Sequence, residues 1–275
     1  MEKSKHKSEG FLAKKAWPRI TIITVVYNGA AYLEDAISSV ISQSSGHLEY
    51  VVIDGGSQDG SVDIIRQYED QIDIWISEPD DGIYDAMNKG IRLATGDVIG
   101  ILNSDDVLND KVIEQIAEVF RNEPLLDFVY GFVERITTSG KVYDIAPSLS
   151  ISEMEKKKFH QIPIPHGALF VKKNMFDELG FYKTDYVVNS DYDFILRLIE
   201  NQKIGKKLDV AISRFRDGGL SSNYITFWER RKILKEYNVP FMKREYVILK
   251  AIIKLFLSKL LPETIVSYLR KNRTV

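Results

Sequence analysis

Chemistry is most legible at Asn103-Ser104-Asp105-Asp106, where the apolar run 98–102 stops on an amide, a hydroxyl and two adjacent carboxylates. Neighbouring carboxylates repel unless a cation, a donor or water compensates. Aspartate and asparagine oxygens are the ligand set that suits Mg2+ or Mn2+, which makes Asp105 and Asp106 candidate metal ligands. A bland reading competes: an Asp-rich turn in which Asn109 or Asp110 caps a helix carrying Val112, Ile113, Ile116, Val119 and Phe120. Other polar clusters stand at Tyr27-Asn28, Asp54-Gly55-Gly56-Ser57, Glu78-Pro79-Asp80-Asp81 and Asn189-Ser190-Asp191.

These clusters need elements to position them. Residues 20–28, 50–54, 73–77 and 98–102 read as strands, the first and last of them buried runs rich in β-branched residues. Between them, Ala31, Leu33, Ala36, Ile37, Val40 and Ile41 recur at helical spacing, as do Val62, Ile64, Ile65 and Tyr68, and 85–93 reads as a third helix. Strand and helix alternating at this spacing require crossover connections, hence an α/β fold with a mostly parallel, right-handed sheet and helices on both faces. In such a sheet the clusters after the first four strands share one edge and converge on one crevice. Beyond Asp127 the alternation weakens. Segments 128–133 and 141–143 read as strands, 162–171 as a Pro-punctuated loop entering another, and Asp191 precedes an amphipathic helix over 194–199, where it suits either an anion-binding role or simple capping. His166 in that loop either approaches a ligand at that edge, or is a partly buried histidine held by a backbone group.

Composition narrows the classes. The 275 residues hold 37 Lys and Arg against 39 Asp and Glu, a formal net charge of -2, which disfavours a nucleic-acid partner. The absence of cysteine excludes disulfides, thiolate zinc sites and a Cys nucleophile, and four scattered histidines make a His-based metal site a poor reading. Residues 1–15 lack the apolar core of a signal peptide, so 1–17 is expected to be a disordered leader and the protein cytoplasmic. The tail 241–261 is apolar but interrupted by Lys243, Lys250, Lys254 and Lys259, so it offers no unbroken span of about 20 apolar residues. It fits a basic interfacial helix at the inner face of the membrane, or equally a helix packed on the core or on a second subunit as a homodimer.

Taken in order, the motifs carry a resemblance. Ile-Thr-Val-Val-Tyr-Asn, Val-Val-Ile-Asp-Gly-Gly-Ser-Gln-Asp-Gly-Ser, Asp-Gly-Ile-Tyr-Asp-Ala-Met-Asn-Lys-Gly, Gly-Asp-Val-Ile-Gly-Ile-Leu-Asn-Ser-Asp-Asp, His-Gly-Ala-Leu-Phe and Ser-Asp-Tyr-Asp together resemble the family 2 glycosyltransferases of bacterial polysaccharide and exopolysaccharide synthesis, from about residue 19 to 222. The later 215–221, Phe-Arg-Asp-Gly-Gly-Leu-Ser, looks like the subgroup similar to the colanic acid enzyme. The resemblance implies a GT-A fold over 18–225, with 226–275 as an amphipathic helical extension. It implies a nucleoside-diphosphate sugar donor, and an acceptor hydroxyl on a saccharide or polyprenyl-linked saccharide. By motif position, Tyr27 and Asp54 inherit contacts to the nucleobase, and Asn28, Asp81, Asn88, Ser104 and His166 join the nucleotide-sugar set. Asp105 inherits the metal, Asn103 the ribose or a metal-bound water, and Asp191 the role of catalytic base. Two departures stand out: Gly55 replaces the acid expected to bond uracil, and Ser190 replaces the first acid of the base pair.

The chemistry of glycosyl transfer agrees. A departing diphosphate develops negative charge that a cation on Asp105 would neutralise, and an acceptor hydroxyl needs a general base such as Asp191. Inversion at the anomeric carbon is implied by the resemblance. A dinucleotide oxidoreductase fits poorly, because Tyr27-Asn28-Gly29 stands where Gly-X-Gly-X-X-Gly belongs. A sugar-nucleotide nucleotidyltransferase and a non-catalytic sugar-nucleotide-binding module are the alternatives.

Overall fold

The computed structural model describes residues 16–43, 45–216 and 224–260. Four parallel strands come first, β1 (Ile20–Val26), β2 (Leu48–Asp54), β3 (Ile74–Ser77) and β4 (Val98–Asn103), joined by helices α1 (Ala30–Ile41), α2 (Ser61–Gln67) and α3 (Ile83–Leu93). All seven residues of β1 are buried, as expected of a strand covered on both faces. Its register pairs Val26 with Asp54 and Val25 with Asn103, and Asp54 pairs in turn with Ser77. The strands therefore end nearly level, which brings the first four polar clusters to one edge. Helix α3 lies close on this sheet because Gly90 has no side chain: a Cβ there would fall on Ile23 Cγ2.

The second half is mixed. After β5 (Val107–Leu108) and α4 (Val112–Asn122) come β6 (Phe128–Ile136), β7 (Val142–Ala146), α5 (Ile151–Lys157), β8 (Leu169–Lys172), α6 (Asn174–Leu179), α7 (Ser190–Glu200) and β9 (Gly205–Arg216). The sheet order is β3-β2-β1-β4-β8-β6-β9-β5, with β7 paired to β6 off this path. Strand β8 runs antiparallel to both β4 and β6, while β6 and β9 are parallel. This inserted antiparallel strand is what breaks the simple alternation of the sequence beyond Asp127.

Two helices complete the described chain, α8 (Ile225–Glu236) and α9 (Phe241–Leu260). Helix α9 packs Val247 and Ile248 against Leu234 and Val239. Among the described residues no helix is long and apolar enough to cross a membrane. Of the expected leader, only Ala16 and Trp17 are described; Trp17 stacks on His47 with ring centres 4.7 Å apart and lies under the Arg121 guanidinium. Residues 217–221 of the Phe-Arg-Asp-Gly-Gly-Leu-Ser motif and the tail beyond 260 lie outside the described residues.

Candidate active site

The capping alternative for the acidic turn finds no support in the geometry. Helix α4 begins at an N-cap Lys111 with φ 59°, no side chain caps it, and Asn109 Nδ2 donates instead to Ala211 O at 3.1 Å. The acids after β4 are therefore not engaged in starting a helix. Asp105 is half-buried, and the one donor to its carboxylate among the described residues is its own backbone N–H. Burial pushes its pKa up, with only partial relief from that N–H and then from the Arg216 charge. Asp106 is buried; its oxygens accept from Arg216 N at 3.0 Å and Asn103 Nδ2 at 3.2 Å. Burial, and then the neighbouring Asp105 charge, push its pKa up to about 8. Asn103 Oδ1 is buried without a partner.

An oxygen set short of donors is what a hard cation needs. Among the described residues no three His, Asp or Glu side chains are gathered around one point. Mg2+ characteristically uses one or two carboxylates together with substrate phosphates and water, so Asp105, with Asn103 Oδ1 beside it, fits such an ion as a partial site.

Arg216 organises this turn from behind. It is 3% exposed, donates from Nε to Asp105 O at 3.0 Å and from Nη2 to Asp35 at 3.1 Å, and lies over the Tyr32 ring at 4.1 Å. On the other side, Gly167 comes close to Asp106: a Cβ there would lie 4.0 Å from Asp106 Oδ2. The His166–Ala168 turn thus leads from the acid motif to His166, whose Nε2 lies 3.4 Å from Tyr182 Oη. Tyr182 packs on Tyr84, and Tyr84 Oη donates to Asp191 Oδ1 at 2.9 Å. Burial lowers the His166 pKa against the opposing pull of Asp191. A chain of contacts thus runs from Asp106 through the 166–168 turn, Tyr182 and Tyr84 to Asp191, although Asp191 stands 85 positions beyond Asp106 in sequence.

Asp191 sits in the first turn of α7, whose N-terminal approach is held by α8. Glu229 accepts from Val187 N, from Val188 N at 3.0 Å and from Asn189 N at 3.1 Å. Helix α8, read from sequence as the start of an extension, is thus stitched to the segment that carries Asp191.

The remaining predicted residues divide. Tyr27 projects from the end of β1 with 67% of its surface exposed. Asn28, φ 50°, ties two loops together by accepting from Gln58 N at 2.9 Å and donating from its own N to Ser57 Oγ at 2.8 Å. Ser104 is half-buried against Gly29, where a Cβ would meet its Oγ at 2.8 Å. Asp81 is exposed, and its N–H donates to Asp85 at 3.3 Å. Two placements differ from a ligand-contacting expectation. Asn88, 3% exposed, holds the backbone of Tyr182 with both amide atoms, Nδ2 to O at 2.8 Å and Oδ1 from N at 3.0 Å, which gives it a structural role. Asp54 is wholly buried; its Oδ2 accepts from Gly56 N at 3.1 Å, Ser57 N at 3.0 Å and Ser77 Oγ at 2.7 Å and so shapes the turn, while its Oδ1 is buried without a partner. Tyr84, Tyr182, Arg216 and Glu229 escaped the sequence reading. Tyr84 lay within a quoted motif without a role, and Arg216 within the Phe-Arg-Asp-Gly-Gly run.

The chain is similar to known proteins. The model of Glycosyl transferase family 2 matches residues 21–180. The PGL/p-HBAD biosynthesis glycosyltransferase of Mycobacterium bovis is 29% identical over 266 residues, 94% of this chain and 100% of that relative. An uncharacterized glycosyltransferase of Mycobacterium tuberculosis is 32% identical over 183 residues, 66% of this chain and 68% of the relative. Among solved structures, S. aureus TarS 1-349 in complex with UDP-GlcNAc aligns with TM-score 0.63 and 18% identity over 87% of this chain and 73% of that one. The mannosyltransferase PcManGT from Pyrobaculum calidifontis, in complex with GDP-Man and Mn2+, aligns with TM-score 0.62 and 16% identity over 95% and 77%. These likenesses bear out the GT-A fold. With the family model matching more than half of its length, the chain belongs to glycosyl transferase family 2.

Proposed function

We propose that this protein transfers a sugar from a nucleoside-diphosphate sugar to a hydroxyl of a saccharide or lipid-linked saccharide acceptor, with inversion, in bacterial cell-surface glycan synthesis. The observation that carries the reading is the link, through His166, Tyr182 and Tyr84, between the acid pair Asp105 and Asp106 and a separately held carboxylate, Asp191. Asp191 Oδ2 is the oxygen left for an acceptor, because Oδ1 takes the Tyr84 hydroxyl. The Asp191 carboxylate removes the acceptor's hydroxyl proton as the new oxygen–carbon bond forms, and the nucleoside diphosphate leaves with the electron pair of the old bond. Asp105, with Asn103 beside it, would hold Mg2+ or Mn2+, which supplies neutralisation of the charge developing on the leaving diphosphate when bound. The names of the relatives, a PGL/p-HBAD biosynthesis enzyme and neighbours crystallised with UDP-GlcNAc and GDP-Man, support this donor class.

Helix α9 supports a lipid-linked acceptor. Met242, Tyr246, Leu249, Ile253 and Phe256 are exposed at spacings of three and four, so they form one open apolar stripe, and Lys243 and Lys250 are exposed on the same helix. An apolar stripe flanked by lysines fits an anionic membrane surface, each lysine contributing about 1 kcal/mol near it. Flotation with anionic vesicles should fall with salt and with Lys243→Glu/Lys250→Glu; a doubled mass that survives high salt would favour a homodimer instead.

The function is tested by offering purified protein a panel of nucleoside-diphosphate sugars with lipid-linked and free saccharide acceptors. Release of nucleoside diphosphate together with glycosylated acceptor is expected. Release of inorganic pyrophosphate from a sugar phosphate and nucleoside triphosphate would identify a nucleotidyltransferase, and tight donor binding without turnover a binding module.

A further inference from the structure

The acid that reads the donor's nucleobase is identifiable from the turn after β2, given the nucleotide-sugar reading above. The strand order β3-β2-β1-β4 places this turn two strands from the acid motif after β4, about 10 Å at the usual strand spacing. A donor with its diphosphate at Asp105 would extend its nucleoside past the exposed Tyr27 ring at the end of β1 and bring its base onto the β2 turn.

Which acid waits there is settled by burial. Asp54 is 0% exposed; its Oδ2 is already shared by three donors, and its Oδ1, although without a partner, is buried with it. Asp80, on the loop after β3, is half-buried and folded over Gly55: a Cβ on Gly55 would fall on Asp80 Oδ2 and lie 3.0 Å from its Cγ. The room that a side chain at position 55 would occupy is thus filled by a carboxylate arriving from a different strand. Asp80 Oδ1 accepts from Gly82 N at 2.9 Å, while Oδ2 has no donor among the described residues. Nearby Lys89 does not quench it, because that ammonium is held by Glu78 at 3.0 Å, Asp85 at 3.4 Å and Pro79 O at 3.1 Å.

We propose that Asp80 Oδ2 accepts a ring N–H of the donor's nucleobase, supplying from the β3 loop the recognition that Gly55 cannot supply from β2. A carboxylate is an acceptor only. Set against the ring nitrogen, it favours uracil, thymine and guanine, whose N–H it can accept, over cytosine and adenine, whose ring nitrogen at that edge is itself an acceptor and which would have to shift to offer their amino group. Leaving out one partner of a charged hydrogen bond is costly enough to discriminate on the order of ten- to a hundredfold.

The test is nucleoside-diphosphate binding by calorimetry, with UDP, dTDP, GDP, CDP and ADP as probes. Wild-type protein should bind at least one of UDP, dTDP or GDP roughly tenfold or more tightly than CDP and ADP. Asp80→Asn keeps an oxygen for the Gly82 N–H and turns an amide donor toward the base, so it should abolish that preference and improve CDP relative to UDP. Gly55→Asp alone should weaken binding by crowding Asp80, and Gly55→Asp combined with Asp80→Gly should restore the ring N–H preference; Gly55 lies outside the left-handed region, so the change is not strained by backbone. The proposal is overturned if Asp80→Asn binds all five probes as wild type does, or weakens all five equally, which would mark a turn-shaping residue. Failure of wild-type protein to bind any of the five would overturn the nucleotide-sugar reading itself, and this inference with it.

Discussion

At the amino ends of the parallel strands Glu49 is a buried carboxylate rich in donors; at their carboxyl ends Asp105, Asp106 and Asp191 are carboxylates short of them. Glu49, 2% exposed, accepts from Thr21 Oγ1 and Thr95 Oγ1, each at 2.5 Å, from Thr95 N at 2.7 Å and from Gly96 N at 3.1 Å, with Arg19 3.6 Å away. Burial pushes its pKa up, but these donors overrule it and hold the carboxyl below the usual glutamate range. Asp106, two donors and one like charge away from balance, is pushed up to about 8. The same sheet thus satisfies an acid where it only has to hold loops together, and leaves acids under-donated where the proposed ligand would complete them. Under-satisfied polar groups cost stability, and proteins tolerate that cost at functional sites.

The sharpest way to break this contrast is Asp105→Asn. It should lower sugar transfer by roughly 10³-fold or more, because it weakens the cation's ligand, while removing a charge that Asp106 repels. The melting temperature should hold or rise; a variant that unfolds, or that turns over normally in a chelator, would place Asp105 with Glu49 as scaffold. Next, Asp191→Asn should reduce kcat by roughly 10²- to 10⁴-fold with donor affinity unchanged, since the amide cannot take the acceptor's proton. Equal loss of donor binding in titrations would make Asp191 a packing residue of α7.

The opposite pattern is expected at Glu49. Glu49→Gln should leave turnover per folded molecule unchanged and lower unfolding free energy by about 2 kcal/mol, the scale of hydrogen bonds to a charged group. Because its folded pKa lies below the unfolded one, Glu49 stabilises the protein fully above the unfolded glutamate pKa, and that contribution is lost as pH falls through the folded pKa. Denaturant midpoints of the two proteins should therefore differ at neutral pH and converge in strong acid. A difference that persists there would assign the effect to packing.

Much of this was readable from residue order alone. Buried β-branched runs at 20–26, 50–54 and 98–102 separated by helical periods demanded parallel pairing, and parallel pairing put Tyr27, Asp54, Asp81 and Asp105 at one edge. The antiparallel β8 was legible only as an apolar segment, since its direction follows from what it pairs with. Position in a motif also failed to reveal orientation: Asn88 and Asp54 stand where ligand contacts were expected, yet both are buried, with the Asn88 amide turned to Tyr182 and Asp54 Oδ2 to the 56–57 turn.

By itself the sequence determined the fold class, the common edge and the acid pair, because strand burial, crossover length and the types Asn, Ser and Asp are local properties. Tertiary structure alone decided which acids are open. Tyr84 reaches Asp191 across 107 positions, Arg216 reaches Asp105 across 111, and Asp80 fills the space above Gly55 from another strand. Such partners are chosen by packing between distant segments, and a carboxylate's chemistry depends on how many donors that packing brings to it.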